Sequence, residues 1–257
     1  MIEIKDQLGN NIKLNSSPKR IISLVPSQTE LLYDLGLDKE VVGITKFCVH
    51  PKEWRKTKTI VGGTKKLHHD KIDLLNPDLI IANKEENTKE DIEKLQSKYQ
   101  VYVSDIYSIQ DCFEMINDVG ELVCNIERSK SLVNSINKSV QALSKNKFGT
   151  AAYFIWKNPY MLAGANTFIN EMLETAGFSN IINDEQSRYP EISIDQLKSL
   201  KPKYLLLSTE PFPFNLDDVQ KLEAGTGIKT LLVDGEMFSW YGSRLEKFGD
   251  YILDLMP

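Results

Sequence analysis

The sequence predicts an α/β fold built as two similar lobes joined by a long helix. Three observations carry that prediction. Strand-length apolar runs alternate with helical patterns at both ends of the chain, the stretch between them is helical and free of proline, and a segment of the first half can be laid over one of the second without a gap.

The first alternation begins at Arg20–Val25, read as a buried strand, which runs into Pro26-Ser27-Gln28-Thr29-Glu30. Ser27 and Glu30 have the spacing of a capping box. Leu31, Leu32 and Leu35 give the helix an apolar face, and Gly36 suits the left-handed position that ends it. Val41–Ile44, Leu79–Ala82 and Val101–Val103 read as further strands. From Ser108 to Leu143 the chain has no proline and one glycine, Gly120. Within it Ile126, Val133, Ile136, Val140 and Leu143 recur at helical spacing, a stripe of about six turns that predicts one continuous helix over 126–145. After Asn146 the alternation restarts: strands at Thr150–Trp156, Tyr204–Ser208 and Leu231–Asp234, a helix at Asn166–Ala176 stopped by Gly177, and a last helix over Gly242–Leu255. The expected division is an N-terminal lobe over 1–107, a helical region with the inter-lobe helix over 108–147, and a C-terminal lobe over 148–257.

The internal repeat sets Asp70–Glu85 over Asp195–Glu210. Asp70 meets Asp195, Pro77 meets Pro202, Glu85 meets Glu210, and the apolar strands fall in register. Each copy reads as a short helix, a proline that stops it, a buried strand and a glutamate beyond the strand's carboxyl end. Ligands of α/β sheets bind beyond those ends, and two such lobes face to face would make a cleft for one.

The bulk numbers exclude several classes. The 257 residues carry 31 Lys and Arg against 36 Asp and Glu, a net charge of −5, without the concentrated basic face that nucleic acid requires. The lysines at 56, 58, 65 and 66 read as solvated loops. No apolar run approaches the ~20 residues of a membrane helix. Met1–Asp6 enters a strand pattern with no basic or apolar leader, so the expectation is either an extracytoplasmic protein whose signal sequence was removed or a cytoplasmic one. Three cysteines, Cys48, Cys112 and Cys124, imply no disulfide framework, and Cys112 and Cys124 read as small core residues. No nucleophile elbow, Walker loop or dinucleotide fingerprint is present, and Gly62-Gly63-Thr64-Lys65 is too short for a phosphate loop, so the chain is expected not to be an enzyme.

Pro18-Lys-Arg-Ile-Ile-Ser-Leu-Val-Pro-Ser-Gln-Thr-Glu30, then Leu75-Asn-Pro-Asp-Leu-Ile-Ile-Ala82, then Asn158-Pro159, Gly164, Leu173-Glu174, Ala176-Gly-Phe178 and Asn180-Ile-Ile182 resemble, in order, the signatures of the solute-binding proteins that serve cobalamin, haem and iron-siderophore ABC importers. The match runs over nearly the whole chain, and the cobalamin-binding branch is most similar. The resemblance implies two Rossmann-like lobes bridged by a single long backbone helix, the class III periplasmic binding protein type, closing only slightly on a ligand. It implies a monomer that binds a cobalt- or iron-containing chelate as cargo, has no intrinsic cofactor, and delivers the chelate to an ABC permease dimer. A cytoplasmic metallocofactor carrier and a metal-dependent hydrolase are the alternatives.

The resemblance also implies site residues. Phe47, Tyr189, Phe238 and Trp240 match cleft aromatics, while Asn83 and Thr64-Lys65 are polar where the family has aromatics, which leaves cobalamin, ferric siderophore and haem open. His50 is read as packing, bonding the chelate's edge or capping its metal, and Cys48, two residues before it, as a softer ligand on the same face. His68 and His69, adjacent at a helix start, do not make a zinc site. Trp240 and its neighbour Tyr241 lie in an aromatic loop, Trp156 and Tyr160 flank Asn158-Pro159, and Ser27 sits at a helix start beside the first strand. Arg244 bonds an anionic ligand group or pairs with Glu236 or Glu246. Glu85 and Glu210, one per repeat, would dock into arginine pockets of the two permease subunits.

Overall fold

The computed structural model describes residues 1–182 and 187–256. The chain divides into two compact units, Met1–Ile136 with Tyr241–Glu246, and Asn137–Trp240 with Lys247–Pro257. This differs from the expected three-part division. The helical stretch 108–147 is no body of its own, because its helices bury their apolar faces within the units, and a short C-terminal segment belongs to the first unit.

The first unit is built on a five-stranded parallel sheet in the order Thr59–Ile60, Val41–Ile44, Ile21–Ser23, Leu79–Asn83, Val101–Ser104. Leu79–Asn83 and Val101–Ser104 are buried at every residue, as strands covered on both faces must be. Successive strands run outward from Ile21–Ser23 in one direction and then, from Leu79, in the other. The order therefore reverses between Ile21–Ser23 and Leu79–Asn83, and a crevice opens at their carboxyl ends. An antiparallel hairpin, Ile2–Lys5 with Asn11–Leu14, is closed by Asp6, whose carboxylate accepts from the Leu8 and Asn10 amides at 3.0 and 2.8 Å and from the Val103 amide at 3.2 Å. A second hairpin pairs Gly62–Gly63 with Lys66–Leu67.

The second unit repeats the plan. Gly149–Trp156 pairs in parallel with Phe178–Asn180 and with Tyr204–Ser208, which pairs with Lys229–Val233; Met161–Leu162 adds an antiparallel edge. Here the order reverses between Gly149–Trp156 and Tyr204–Ser208. Ala152, Phe154, Leu205, Leu207, Phe214 and Leu222 form the core beneath one face.

The internal repeat holds residue by residue. His69–Leu75 and Ile194–Leu200 are the two short helices, and Asn76 and Lys201, equivalent in the overlay, both end them in the left-handed region at φ 42° and 50°. Proline follows each, and both strands are buried throughout.

Several local expectations are corrected. The helix Pro26–Asp34 starts two residues earlier than a capping box at Ser27 needs: Val25 is its N-cap, Pro26 its first residue, and no side chain caps it. Proline has no N–H to satisfy there, which removes part of the need. Ser108–Leu143 holds two helices, Ile109–Leu122 and Ile126–Gln141, broken at Cys124, which sits exposed with φ 58° rather than in a core. The second runs through the boundary between the units at Ile136/Asn137 and stops at Gln141. Its buried side is Ser129, Leu132 and Ile136, with Ile126 left exposed. The expected last helix is a 3-10 turn over Ser243–Lys247 followed by a helix over Phe248–Leu255.

Where these two helices meet, Gly120 has no room for a side chain: a Cβ there would lie 2.2 Å from Ser129 Oγ and 2.4 Å from its Cβ. Glycine to alanine in a helix ordinarily stabilises by up to about 1 kcal/mol. Gly120→Ala is expected to do the reverse, costing about 1–3 kcal/mol in urea unfolding through overpacking, with Ser129→Gly restoring part of the loss.

Candidate functional site

In the first unit the crevice at the sheet's reversal point is walled by Val25–Gln28 on one side and Asn83–Asn87 on the other. Asn83 organises the second wall. Its Oδ1 accepts from the Glu85 and Glu86 amides at 2.8 and 3.0 Å, and its Nδ2 donates to the Ser104 carbonyl and hydroxyl at 3.1 and 3.0 Å. Asn87 Oδ1 accepts from the Asn83 amide at 2.9 Å, and Asn87 Nδ2 donates to the Thr64 carbonyl at 3.0 Å, tying the loop to the Gly62–Leu67 hairpin. Gln28 Nε2 joins the network at Ser104 Oγ, 2.5 Å away. Every one of these side chains is buried, so the bonds replace lost hydration and fix the loop's path.

Phe47 lies past the carboxyl end of the neighbouring strand, Val41–Ile44, and is half exposed. The turn that presents it is anchored beneath by Cys48. That thiol is fully buried, takes a hydrogen bond from the Thr29 hydroxyl at 3.0 Å and lies 3.2 Å from the Thr45 hydroxyl. Burial pushes the thiol's pKa up, against the opposing hydrogen bonds from Thr29 and Thr45. His50 is half-buried on the same turn. His69 Nε2 pairs with Asp91 Oδ1 at 2.6 Å. Among the described residues no group of three or more His, Cys, Asp or Glu could hold a metal ion.

Ser27 and Tyr241 are both buried in this unit. Burial, followed by the charge of Glu86, drives the Tyr241 hydroxyl well above its ordinary pKa, with the Ser27 side chain acting the other way. Arg244 has a partner the sequence did not indicate. It is buried, and its Nε and Nη2 donate to the two carboxylate oxygens of Glu30 at 2.9 and 3.0 Å. Sequence spacing gave no hint of this pair, which is 214 residues apart.

In the second unit Trp156 stands at the carboxyl end of Gly149–Trp156, 42% exposed, edge-on to Phe212 with ring centres 5.7 Å apart. Phe212 in turn packs on Phe214 at 4.7 Å. Sequence reasoning missed Phe212 and Phe214; the signal was Pro211-Phe-Pro-Phe directly after the repeat's glutamate. Tyr160 is half-buried against the core, edge-on to Phe154, and Tyr189 is half-buried with the Arg188 guanidinium 5.5 Å over its ring. Phe238 is corrected: it has no exposed surface and packs among Tyr153, Phe248 and Tyr251 as a core residue. Gly235–Ser239 is helical, so the supposed polar loop around Phe238 turns it inward. Trp240 is also buried, at 8% exposure.

The two repeat glutamates share a backbone and differ in surroundings. The Glu85 amide donates to Asn83 Oδ1, and the Glu210 amide to Ser208 Oγ at 3.3 Å, so equivalent side chains shape equivalent turns. Glu85 is exposed. Glu210 is half-buried, accepts from the Ser239 hydroxyl at 2.7 Å, and has its pKa raised by burial against the opposing bonds from Ser239 and Trp240. In the first unit Glu86 is raised in the same way, by burial, with Lys65 opposing.

Two outcomes follow. Arg244→Leu leaves Glu30 buried without its partner and is expected to cost about 3–5 kcal/mol in urea unfolding, while Glu30→Leu with Arg244→Leu costs less than the single change. For Glu86, a folded pKa above the ordinary 4.5 means that the folded state holds the proton more tightly than the unfolded chain. Stability therefore falls as pH rises from 4.5 through the folded value. Glu86→Gln should remove that fall, giving a higher urea midpoint than wild type at about pH 7 and little difference at about pH 4.

A family model described as Periplasmic binding protein matches residues 21–232. The ABC transporter substrate-binding lipoprotein YvrC of Bacillus subtilis (strain 168) is 28% identical over 213 residues, 78% of this chain and 67% of its own length. A vitamin B12-binding protein of Vibrio vulnificus (strain CMCP6) is 25% identical over 207 residues, 77% and 74% of the two chains. Among solved structures, the periplasmic vitamin B12-binding protein BtuF of Vibrio cholerae has a TM-score of 0.77 at 21% identity, covering 93% of this chain and 98% of that one. A possible iron-binding (periplasmic solute-binding) protein of Staphylococcus epidermidis ATCC 12228 has 0.78 at 23% identity, covering 94% and 100%. The periplasmic haem-binding protein HutB of Vibrio cholerae has 0.78 at 19%, covering 93% and 99%. These structures share the fold expected above, Rossmann-like α/β units of the class III type. The matched span takes in both sheets, and the chain belongs to the Periplasmic binding protein family of solute-binding proteins.

Proposed function

We propose that the protein is the substrate-binding component of an ABC importer, that it takes a cobalt- or iron-containing chelate as its cargo, and that it hands the chelate to a permease. The observation that carries this reading is the presence, in each unit, of an exposed aromatic beyond the carboxyl ends of the sheet near the point where strand order reverses: Phe47 in the first, Trp156 with Phe212 in the second. A rigid aromatic face gives a bulky flat chelate a large contact at low entropic cost. The family and its relatives, named for vitamin B12, haem and iron, support the ligand class, and a lipoprotein and periplasmic proteins among them support an extracytoplasmic location. Among the described residues no helix is long and apolar enough to cross a membrane, so a permease would supply the passage. No observation favours the carrier or hydrolase alternatives.

Ser27, Tyr160, Tyr189, Trp240 and Tyr241 support the site from within their units in this reading, and His50 reaches the chelate's edge or its metal. Glu85, exposed at the tip of its turn, is the docking charge of the first unit. Glu210 serves the second once its carboxylate leaves Ser239.

The test is equilibrium dialysis and tryptophan fluorescence with cyanocobalamin, haemin and a ferric siderophore, followed by uptake through the cognate importer. At least one chelate should bind and quench, and Trp156→Ala should weaken it about tenfold, as loss of a buried aromatic contact does. Glu85→Lys with Glu210→Lys should leave binding intact and abolish uptake. Absence of binding by all three chelates would overturn the ligand class, and unimpaired uptake would reduce the two glutamates to surface charges.

A further inference from the structure

The amino end of the second unit's sheet carries a charge pattern that a count over the whole chain conceals. Gly149–Trp156, Tyr204–Ser208 and Lys229–Val233 are neighbours and parallel, so all three begin on one edge. The segments that lead into them, 142–149, 197–203 and 224–229, hold Lys145, Lys147, Lys198, Lys201, Lys203 and Lys229 and no aspartate or glutamate. In a chain of net charge −5 this edge is a local reversal of the field. The other end of the same strands has the opposite sign, with Glu210, Asp234 and Glu236 just past Tyr204–Ser208 and Lys229–Val233.

The backbone fixes how the lysines are spread. Lys203 N–H donates to the Thr150 carbonyl at 3.0 Å, and Lys229 stands opposite Tyr204 in the strand register. Lys198 lies in the last turn of the helix Ile194–Leu200, where unsatisfied carbonyls favour a cation, and Lys201 ends that helix. Neighbouring strands are about 4.8 Å apart, so three of them spread the row over about 10 Å. Beside it lies a groove of about 520 Å³ lined in part by Lys147, Phe148 and Lys203. The one acid in that lining, Glu174, accepts from Asn170 Nδ2 at 3.2 Å.

Nothing on this edge cancels the charge. All six lysines are exposed, and among the described residues none of them is in an ion pair. Lys203 Nζ donates to the Phe148 carbonyl at 2.7 Å and lies 5.2 Å from the centre of the buried Tyr204 ring, with Lys229 Nζ 5.5 Å from the same ring. A carbonyl and a ring hold an ammonium in place and leave it positive. Leu200 stands between Lys198 and Lys201 and is 42% exposed. A wide, shallow row of cations suits phosphates held in a plane better than one small anion in a pocket. The leucine suits a surface with an apolar layer just below its phosphates; a soluble polyanion would leave it idle.

We infer that this edge rests on an anionic lipid surface, the lysines meeting headgroup phosphates and Leu200 entering the headgroup boundary. The acids at the far end of the strands are repelled by the same surface, so contact turns the carboxyl ends, with Trp156, toward the solvent. The attraction is screened by salt and reversible, so it concentrates the protein at a membrane without fixing it there. This goes beyond the cargo reading above and does not depend on which chelate is bound.

The experiment is co-sedimentation of the full chain with vesicles of phosphatidylcholine alone and of phosphatidylcholine mixed with phosphatidylglycerol, at low and at raised salt, with soluble polyphosphate as a competitor. Binding is expected on the mixed vesicles only, and it should fall as salt rises. A lysine near such a surface contributes about fivefold to partitioning, so Lys147→Gln with Lys203→Gln and Lys229→Gln should lower it about 100-fold. The same loss of charge from exposed lysines of the first unit, Lys52→Gln with Lys56→Gln and Lys94→Gln, should leave most of the binding in place. Leu200→Ser should weaken it about fivefold at either salt. Circular dichroism and the urea midpoint establish that each variant is folded. Equal binding to the two kinds of vesicle, no binding to either, an unchanged edge variant, or an equal loss in the first-unit variant overturns the inference. Capture by polyphosphate without vesicle binding, or with Leu200→Ser unchanged, overturns the lipid as partner. None of these outcomes bears on chelate binding, which dialysis measures separately.

Discussion

The buried ion pair between Arg244 and Glu30 is the constraint on which the first unit is organised. Taking two charges out of water costs several kcal/mol for each ion, and only good geometry offsets it. The guanidinium meets both carboxylate oxygens, which is the arrangement that does so. The pair fixes the helix Pro26–Asp34, whose first turn forms one wall of the crevice, against the segment Tyr241–Glu246 arriving from the far end of the chain. Around it the Gly242 amide donates to Cys112 Sγ at 3.1 Å, and Ser135 Oγ donates to Glu246 at 2.5 Å. Hydrophobic burial alone, which has no direction, would not set that register.

Beyond that anchor the two units solve one problem twice with different side chains. A parallel strand must end, and its chain must turn away while its last polar groups stay satisfied. Asn83 does this with an amide that both accepts from the following loop and donates to Ser104; Ser208 does it with a hydroxyl that accepts from Glu210 N–H and is itself reached by Tyr153 at 3.0 Å. An amide has more bonds to give than a hydroxyl, and the first unit adds a second one: Asn87 Oδ1 accepts from the Asn83 backbone N–H, and Asn87 Nδ2 ties in the loop at Thr64. In the second unit the space is closed by Gly235, where a Cβ would fall 2.4 Å from Ser208 Oγ. The result is two strand ends of common backbone and distinct chemistry, the first held by the Asn83 and Asn87 amides, the second beside the Trp156–Phe212 ring pair.

Burial also acts on the carboxyls after these strand ends. Glu86 and Glu210 are both raised by desolvation, so each holds its proton longer than a surface acid does.

Much of this was legible in the sequence. Alternating apolar runs, proline stops and the ungapped overlay of 70–85 on 195–210 determined two α/β units and placed Glu85 and Glu210 on equivalent turns, because strand burial and helix termination are local properties of the chain. The position of Phe47, past the end of a strand, was legible in the same way. The break at Cys124, the inward turn of Phe238 and the partner of Arg244 were not legible. A left-handed residue between two good helical patterns leaves no mark on periodicity, and Phe238 looks the same in a loop as in a core. Glu30 and Arg244 are joined only when the last turn of the chain returns to the first sheet. The sequence by itself determined which strands and short helices form, since those depend on neighbours in the chain. Which side chains are buried, paired or left cationic was decided by the tertiary structure, because desolvation and ion pairing depend on neighbours in space.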